Sequence, residues 1–202
     1  SDPLNHAPEE LQSMTVAISG LTNSVDIPDD ERQVCHREGN ALICQISKFS
    51  LGRGADKTLL PGGESSYRRY LLPTFAISSE HPDVRRTAHE IAAGVPDDQQ
   101  RLRTLIDWMQ THVKREAIDV FTALDVLKSR RAECQGHAML FAAFARSLGI
   151  PTRIVNGIVY VPRLRGFLYH SWNESLLDGR WMAVDPIFSQ LPADTTHVKL
   201  VE

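Results

Sequence analysis

The stretch RAECQGHAMLFAAFARSL, Arg131 to Leu148, decides how the rest of the chain is read. Leu140, Phe141, Phe144 and Leu148 recur at helical spacing, and Ala138, Ala142 and Ala145 widen the apolar stripe, so the spacing predicts a helix buried on most sides. Gly149 and then Pro151 end it, one by taking a left-handed cap and the other by being unable to continue the turn. The helix therefore begins near Cys134. At a helix start the unsatisfied backbone N–H groups and the dipole favour negative charge, and so favour a thiolate. A cysteine there has one of two characters, a small buried hydrophobe or a positioned nucleophile.

Working outward, the second informative stretch is FLYHSWNESLLDGRWMAVDP, Phe167 to Pro186. Asp178-Gly179 is a two-residue turn signal between two aromatic and aliphatic runs, Tyr169 to Leu177 and Arg180 to Val184. With Leu177 opposite Arg180, counting back places Trp172 opposite Asp185, and alternation puts His170, Trp172 and Asp185 on one face. His170 and Asp185 become diagonal neighbours, about 7–8 Å apart at the backbone, which a carboxylate-to-imidazole hydrogen bond can span. The alternative is two polar residues at a strand end meeting solvent. A cysteine at a helix start with a histidine and an aspartate on adjacent strands is the set that thiol acyl transfer needs: nucleophile, base and orienting carboxylate.

These residues resemble the transglutaminase-like superfamily, the papain-fold group. The resemblance rests on Ala123 to Tyr160, on HSWNE from His170 to Glu174, on DGRWMAVDP from Asp178 to Pro186 and on the tail from Gln190 to Leu200. Bacterial members, with a glycine-acid-cysteine turn, a GIP-TR segment and an HAWNE-type strand, look most similar. The resemblance implies an α+β fold, a papain-like transglutaminase core of helices packed on an antiparallel β-sheet, here with an N-terminal β extension. It implies Cys134 as nucleophile, His170 as base and Asp185 as third member, with Trp172, Asn173 and Glu174 in support. Ala132 stands where such motifs usually carry glycine, and Ser171 where alanine is common. Alanine is tolerable at 132 if the backbone there is not left-handed.

The 202 residues, 42% hydrophobic and 23% charged, are ordinary globular material. A net charge of −3 and a pI near 6.2 give no electrostatic footprint for nucleic acid or an anionic membrane. No run approaches the roughly 18 apolar residues of a membrane span. The chain opens Ser1-Asp2-Pro3 without methionine, which points to a processed or excised form with any anchor outside it. Cys35 and Cys44 flank Gly39-Asn40, a glycine-first turn. If Glu38 and Ala41 form a hydrogen-bonded pair, the two cysteines face each other at a non-hydrogen-bonded pair, where side chains approach most closely. A disulfide there leaves Cys134 as the free thiol and points to a periplasmic or other extracytoplasmic location. Two reduced strand cysteines in a cytoplasmic protein are the alternative.

In chain order, Ser1 to Glu10 are expected to fray. Met14, Val16 and Ile18 alternate as a strand, the Cys35 to Ile46 hairpin follows, and Gly52 to Ser66 reads as a flexible linker. Residues 1–66 are thus expected to form a β-rich extension and linker, and 67–202 the catalytic domain. Helices are expected from Pro82, with Val84, Ala88 and Ile91 inward, and after Asp97-Asp98, with Leu102, Leu105, Ile106, Met109 and Val113 inward. Thr122 and Asp125 form a capping box ahead of the cysteine turn. Arg153 to Val161 is strand-like, and Arg163 and Arg165 lie in a loop, solvated or facing an acidic substrate.

His137 shares a helix face with Cys134, and with His170 and Asp185 it would complete a tetrahedral metal site. No CxxC or HxxxH pair supports one, so neither metal nor cofactor is expected. Trp172 reads as a lid over His170 and Asp185 or as a plain core aromatic, and His197 as surface or strand decoration. The backbone N–H of Cys134 is the natural first oxyanion donor. The resulting expectation is acyl transfer on amide bonds of a protein or peptide through a thioester, most simply a cysteine peptidase or amidase. A glutamine cross-linking transglutaminase, with an amine in place of water, and a silent scaffold module are the alternatives.

Overall fold

The computed structural model describes residues 7–21, 27–49 and 63–202. The chain forms two compact units, and the division does not fall at one point along it. One unit takes Ser1–Leu51, Val155–Ser171 and Ala193–Glu202, and the other Gly52–Ile154 and Trp172–Pro192. No helix among the described residues is long and apolar enough to cross a membrane.

The first unit begins with an antiparallel sheet ordered β1-β3-β2, made of β1 (Ser13–Ser19), β2 (Gln33–Glu38) and β3 (Ala41–Ser47). Alternation writes the buried face directly: Leu42, Cys44 and Ile46 of β3 and Met14 of β1 are buried, together with Ile27 and Val198. Gly39, at φ +57°, turns the hairpin at a conformation that side chains resist. The ladder pairs Glu38 with Ala41 and Cys35 with Cys44, and the two cysteines are joined in a disulfide with Cα atoms 4.1 Å apart.

Strand β9 (His197–Val201) pairs antiparallel with the later half of β6 (Thr152–Val161), from Asn156 opposite Val201 to Val159 opposite His197. Gln33 ties β2 to β9. Its buried side-chain amide donates to the Lys199 carbonyl at 2.8 Å and accepts from the Lys199 N–H at 2.8 Å, standing in for a strand's own backbone. The Lys199 ammonium is buried against Asp30 and Glu202.

The second unit is helical around one apolar core. It holds α1 (Gly63–Arg68), α2 (Pro82–Ile91), α3 (Asp98–His112), α4 (Ala123–Ser129) and α5 (Cys134–Ser147). The linker expected over Gly52 to Ser66 lies mostly outside the described residues, and its last four belong to α1, where the Ser66 hydroxyl donates back to the Gly63 carbonyl. The other four helices start where side-chain acceptors cover orphan N–H groups: the His81 ring for α2, Asp97 for α3, a Thr122–Asp125 capping box for α4 and Glu133 for α5.

Helix α5 lies at the centre of this core, with every residue from Gly136 to Arg146 buried. Arg146 is kept there by donating to the Thr152 and Leu72 carbonyls, and burial lowers its guanidinium to about 10. Two short strands, β4 (Lys114–Arg115) and β5 (Arg131–Ala132), run parallel just ahead of α5. Strands β7 (Gly166–Leu177) and β8 (Arg180–Val184) form the hairpin around Asp178-Gly179, and the larger sheet is ordered β8-β7-β6-β9. The molecule is therefore a mixture of helices and antiparallel sheets.

Candidate active site

Cys134 is the first residue of α5 and carries the free thiol among the described residues. The segment before it is held on both sides. Arg130 closes α4 in the left-handed region at φ 58°, with its guanidinium 4.5 Å from the Trp108 ring centroid, and the β4–β5 pairing then fixes Arg131 and Ala132 against Lys114 and Arg115. Ala132 lies in this strand and not in the left-handed region, which is why alanine is accommodated where glycine is usual.

Small residues let the cysteine turn close. A Cβ added to Gly136 would stand 2.6 Å from the Ala132 Cβ and 2.8 Å from the Val120 Cγ2. Gly136→Ala should therefore destabilise the protein, since overpacking costs about 1–3 kcal/mol, outweighing roughly 1 kcal/mol of gained helix propensity. A rise in the urea midpoint would contradict this.

Glu133 is a direct neighbour of the thiol that the sequence reading passed over. As the N-cap of α5 its carboxylate accepts from the Gln135 and Gly136 N–H groups at 2.9 and 3.0 Å, and the Cys134 Sγ donates to it at 3.2 Å. An acidic residue directly before a predicted helix was the available signal.

His137 is engaged by the backbone. Its Nδ1 stands 2.9 Å from the Glu133 carbonyl, and the ring also bonds the Val113 backbone, linking the start of α5 to the end of α3. Burial holds its imidazole below the ordinary value, against the opposing pull of those carbonyls. The unfolded chain then binds the proton more readily, so stability falls as pH drops through about 6.5. His137→Gln should flatten that part of the stability–pH curve; an unchanged slope would refute it.

His170 lies on β7 and is buried, and Asp185 follows β8 with no exposure. The β7–β8 ladder runs from Leu177 opposite Arg180 to Asn173 opposite Val184. The ladder ends there, and Asp185, one residue past β8, pairs with Gln190. Asp185 is fixed by its own turn: Oδ1 accepts from the Ile187 N–H at 2.7 Å and the Phe188 N–H at 3.0 Å, while its backbone exchanges two hydrogen bonds with Gln190. Cys134 and Asp185 belong to the second unit and His170 to the first, the division falling between Ser171 and Trp172.

The residues around His170 have separate tasks. Trp172 is a fully buried core aromatic. Asn173 donates to the Ala138 carbonyl at 3.0 Å, one turn along α5 from Cys134, and so pins β7 to that helix. Glu174 holds Arg153, whose Nε and Nη2 both donate to one carboxylate oxygen at 2.8 and 2.6 Å. The Arg153 guanidinium also lies 4.3 Å from the Trp181 ring centroid and 5.7 Å from that of Tyr70. Ser171 donates to Asn156 at 2.7 Å.

His197 corrects an expectation. It lies on β9, as the strand reading has it, but it is buried like the next two residues Val198 and Lys199, so the surface reading fails. Arg163 and Arg165 are exposed in the turn between β6 and β7.

Residues 85–186 match the model of a family described as the transglutaminase-like superfamily. Kyphoscoliosis peptidase from Mus musculus is 28% identical over 120 residues and that from Homo sapiens 27%, each match covering 50% of this chain and 17% of the relative. The chain therefore corresponds to a small part of those proteins. Among solved structures, a Cytophaga hutchinsonii protein provisionally described as a cysteine protease has a TM-score of 0.61 at 15% identity, over 95% of this chain and 69% of that one. The periplasmic domain of TgpA from Pseudomonas aeruginosa has a TM-score of 0.54 at 19% identity, over 74% and 54%. These likenesses show a common fold.

Proposed function

Because this chain belongs to the transglutaminase-like superfamily, we propose that it is a thiol-dependent acyl-transfer enzyme, with Cys134, His170 and Asp185 as nucleophile, base and orienting carboxylate. The observation that carries the reading is local. Cys134 opens a buried helix, and the β7–β8 hairpin carries His170 on its first strand and is followed directly by Asp185 after its second. His170 takes the thiol proton, and the Cys134 sulfur attacks an amide carbonyl of a protein or peptide. The tetrahedral oxyanion is met by backbone N–H groups, that of Cys134 first. As the C–N bond breaks, His170 returns the proton to the leaving amine and a thioester remains. Water, deprotonated by His170, then attacks the thioester carbonyl, releases the acid and restores the thiol. Asp185 holds the His170 tautomer and steadies its positive charge throughout.

Water is the acceptor we favour, since the relatives carry the names peptidase and protease; a primary amine in its place would make the enzyme a cross-linking transglutaminase. The Cys35–Cys44 disulfide and the likeness to a periplasmic domain support a periplasmic or other extracytoplasmic location. The test is a peptide mixture incubated with the protein and a primary amine, read by mass spectrometry. Hydrolysed peptides that vanish with Cys134→Ala support the reading. Amine adducts would support the cross-linking alternative, and no change beyond the Cys134→Ala control would overturn both.

A further inference from the structure

The first unit holds a buried ionisable pair that acyl transfer, as proposed, does not use. Asp194 Oδ1 accepts from the Thr196 N–H at 2.9 Å and the Thr196 hydroxyl at 2.5 Å, and lies 3.2 Å from His197 Nδ1. Burial alone would raise the Asp194 carboxyl, but the His197 and Thr196 interactions outweigh it and hold it far below the ordinary carboxylate range. An ionised Asp194 accepts a hydrogen bond from Nδ1, which favours the His197 tautomer protonated at that nitrogen. The ring of His197 stands 6.0 Å from that of His170, centroid to centroid, at 56°. Nitrogens of the two rings approach within 4.8 Å, inside the reach of one bridging water. Both imidazoles are buried, and a buried imidazole with its own carboxylate is an expensive feature to leave idle.

Other charged groups surround the pair. The Arg32 guanidinium donates to the Asp194 carbonyl at 2.5 Å, and Lys199, two residues along β9, is matched by Asp30 and Glu202.

We propose that His197, clamped by Asp194, is a positioning residue that holds the His170 ring in the orientation and proton state its partnership with Cys134 requires. The inference rests on the reading of His170 as the base for Cys134. The arrangement is an imidazole–carboxylate pair standing beside the His170 imidazole and steadying positive charge on it.

The experiment is the iodoacetamide labelling rate of Cys134 in the full chain, followed by peptide mass from about pH 4 to about 10. It compares the wild type with His170→Ala, His197→Asn, Asp194→Asn and the His170→Ala/His197→Asn pair. His197→Asn should slow labelling on the acid side about five- to tenfold, leave the alkaline plateau unchanged, and add nothing once His170 is gone, because it acts through that ring. Asp194→Asn, which keeps the imidazole, should show the same effect more weakly and carries the test if His197→Asn fails to fold. Wild-type profiles in both variants alongside slow His170→Ala would overturn the inference and spare the acyl-transfer reading. So would an equal loss in the His170→Ala background. A His170→Ala profile matching the wild type would overturn both.

Discussion

Replacing Cys134 with alanine is expected to lower peptide hydrolysis about a millionfold, to the level of the binding site acting on water alone. Cys134 is the free thiol among the described residues, so the variant removes the proposed nucleophile. His170→Ala should cost nearly as much, and the double variant little more, since nucleophile and base act as one unit. Asp185→Asn should cost about ten-thousandfold by favouring the wrong imidazole tautomer. It is a mild change elsewhere, because asparagine keeps the oxygen that accepts from the Ile187 and Phe188 N–H groups. The measurement is kcat on a peptide identified by the mass-spectrometric screen, with circular dichroism as the check on folding. Hydrolysis surviving in Cys134→Ala would refute the assignment of the nucleophile.

Glu174→Ala carries the largest expected loss of stability, about 3–5 kcal/mol, the range for breaking one side of a buried ion pair. The side chains of Arg153 and Glu174 are only 10% and 6% exposed, so water replaces little of what is lost. Removing the carboxylate takes away two charge-assisted hydrogen bonds to the guanidinium while Trp181 and Tyr70 keep that cation in place. The pair desolvates two charges, however, so replacing both partners should be far milder than replacing one. Arg153→Met/Glu174→Leu should recover most of the loss in urea unfolding. A double variant as unstable as Glu174→Ala would show that the aromatic stacking, and not the pairing of charge, holds this corner together.

The same pair gives physical content to the family resemblance. The arginine after GIP-T and the glutamate of HSWNE are two sequence signals 21 positions apart, and in the structure they are one object. Asn173 behaves likewise, its place in the motif explained by the carbonyl it holds on α5. Composition and periodicity reveal none of these partnerships.

Local rules made much of this protein legible from the chain alone. Helical spacing, the Asp97 cap, the Thr122–Asp125 box and Gly149 marked α3, α4 and α5, because each rests on residues within one or two turns. Two-residue turns settled two registers, Cys35 opposite Cys44 and Leu177 opposite Arg180, since period-two alternation leaves no freedom once the turn is placed. Tertiary structure alone decided the rest. Gln33 reads the backbone of Lys199, 166 residues away, and neither residue signals the other in sequence. The small size of Gly136 is required by Ala132 and Val120 packing against it, and His197, Val198 and Lys199 are buried in succession on β9 where the sequence showed no apolar run. Burial and long-range pairing arise from packing between distant segments, so the chain wrote the candidate chemistry locally while the fold chose which buried polar groups surround it.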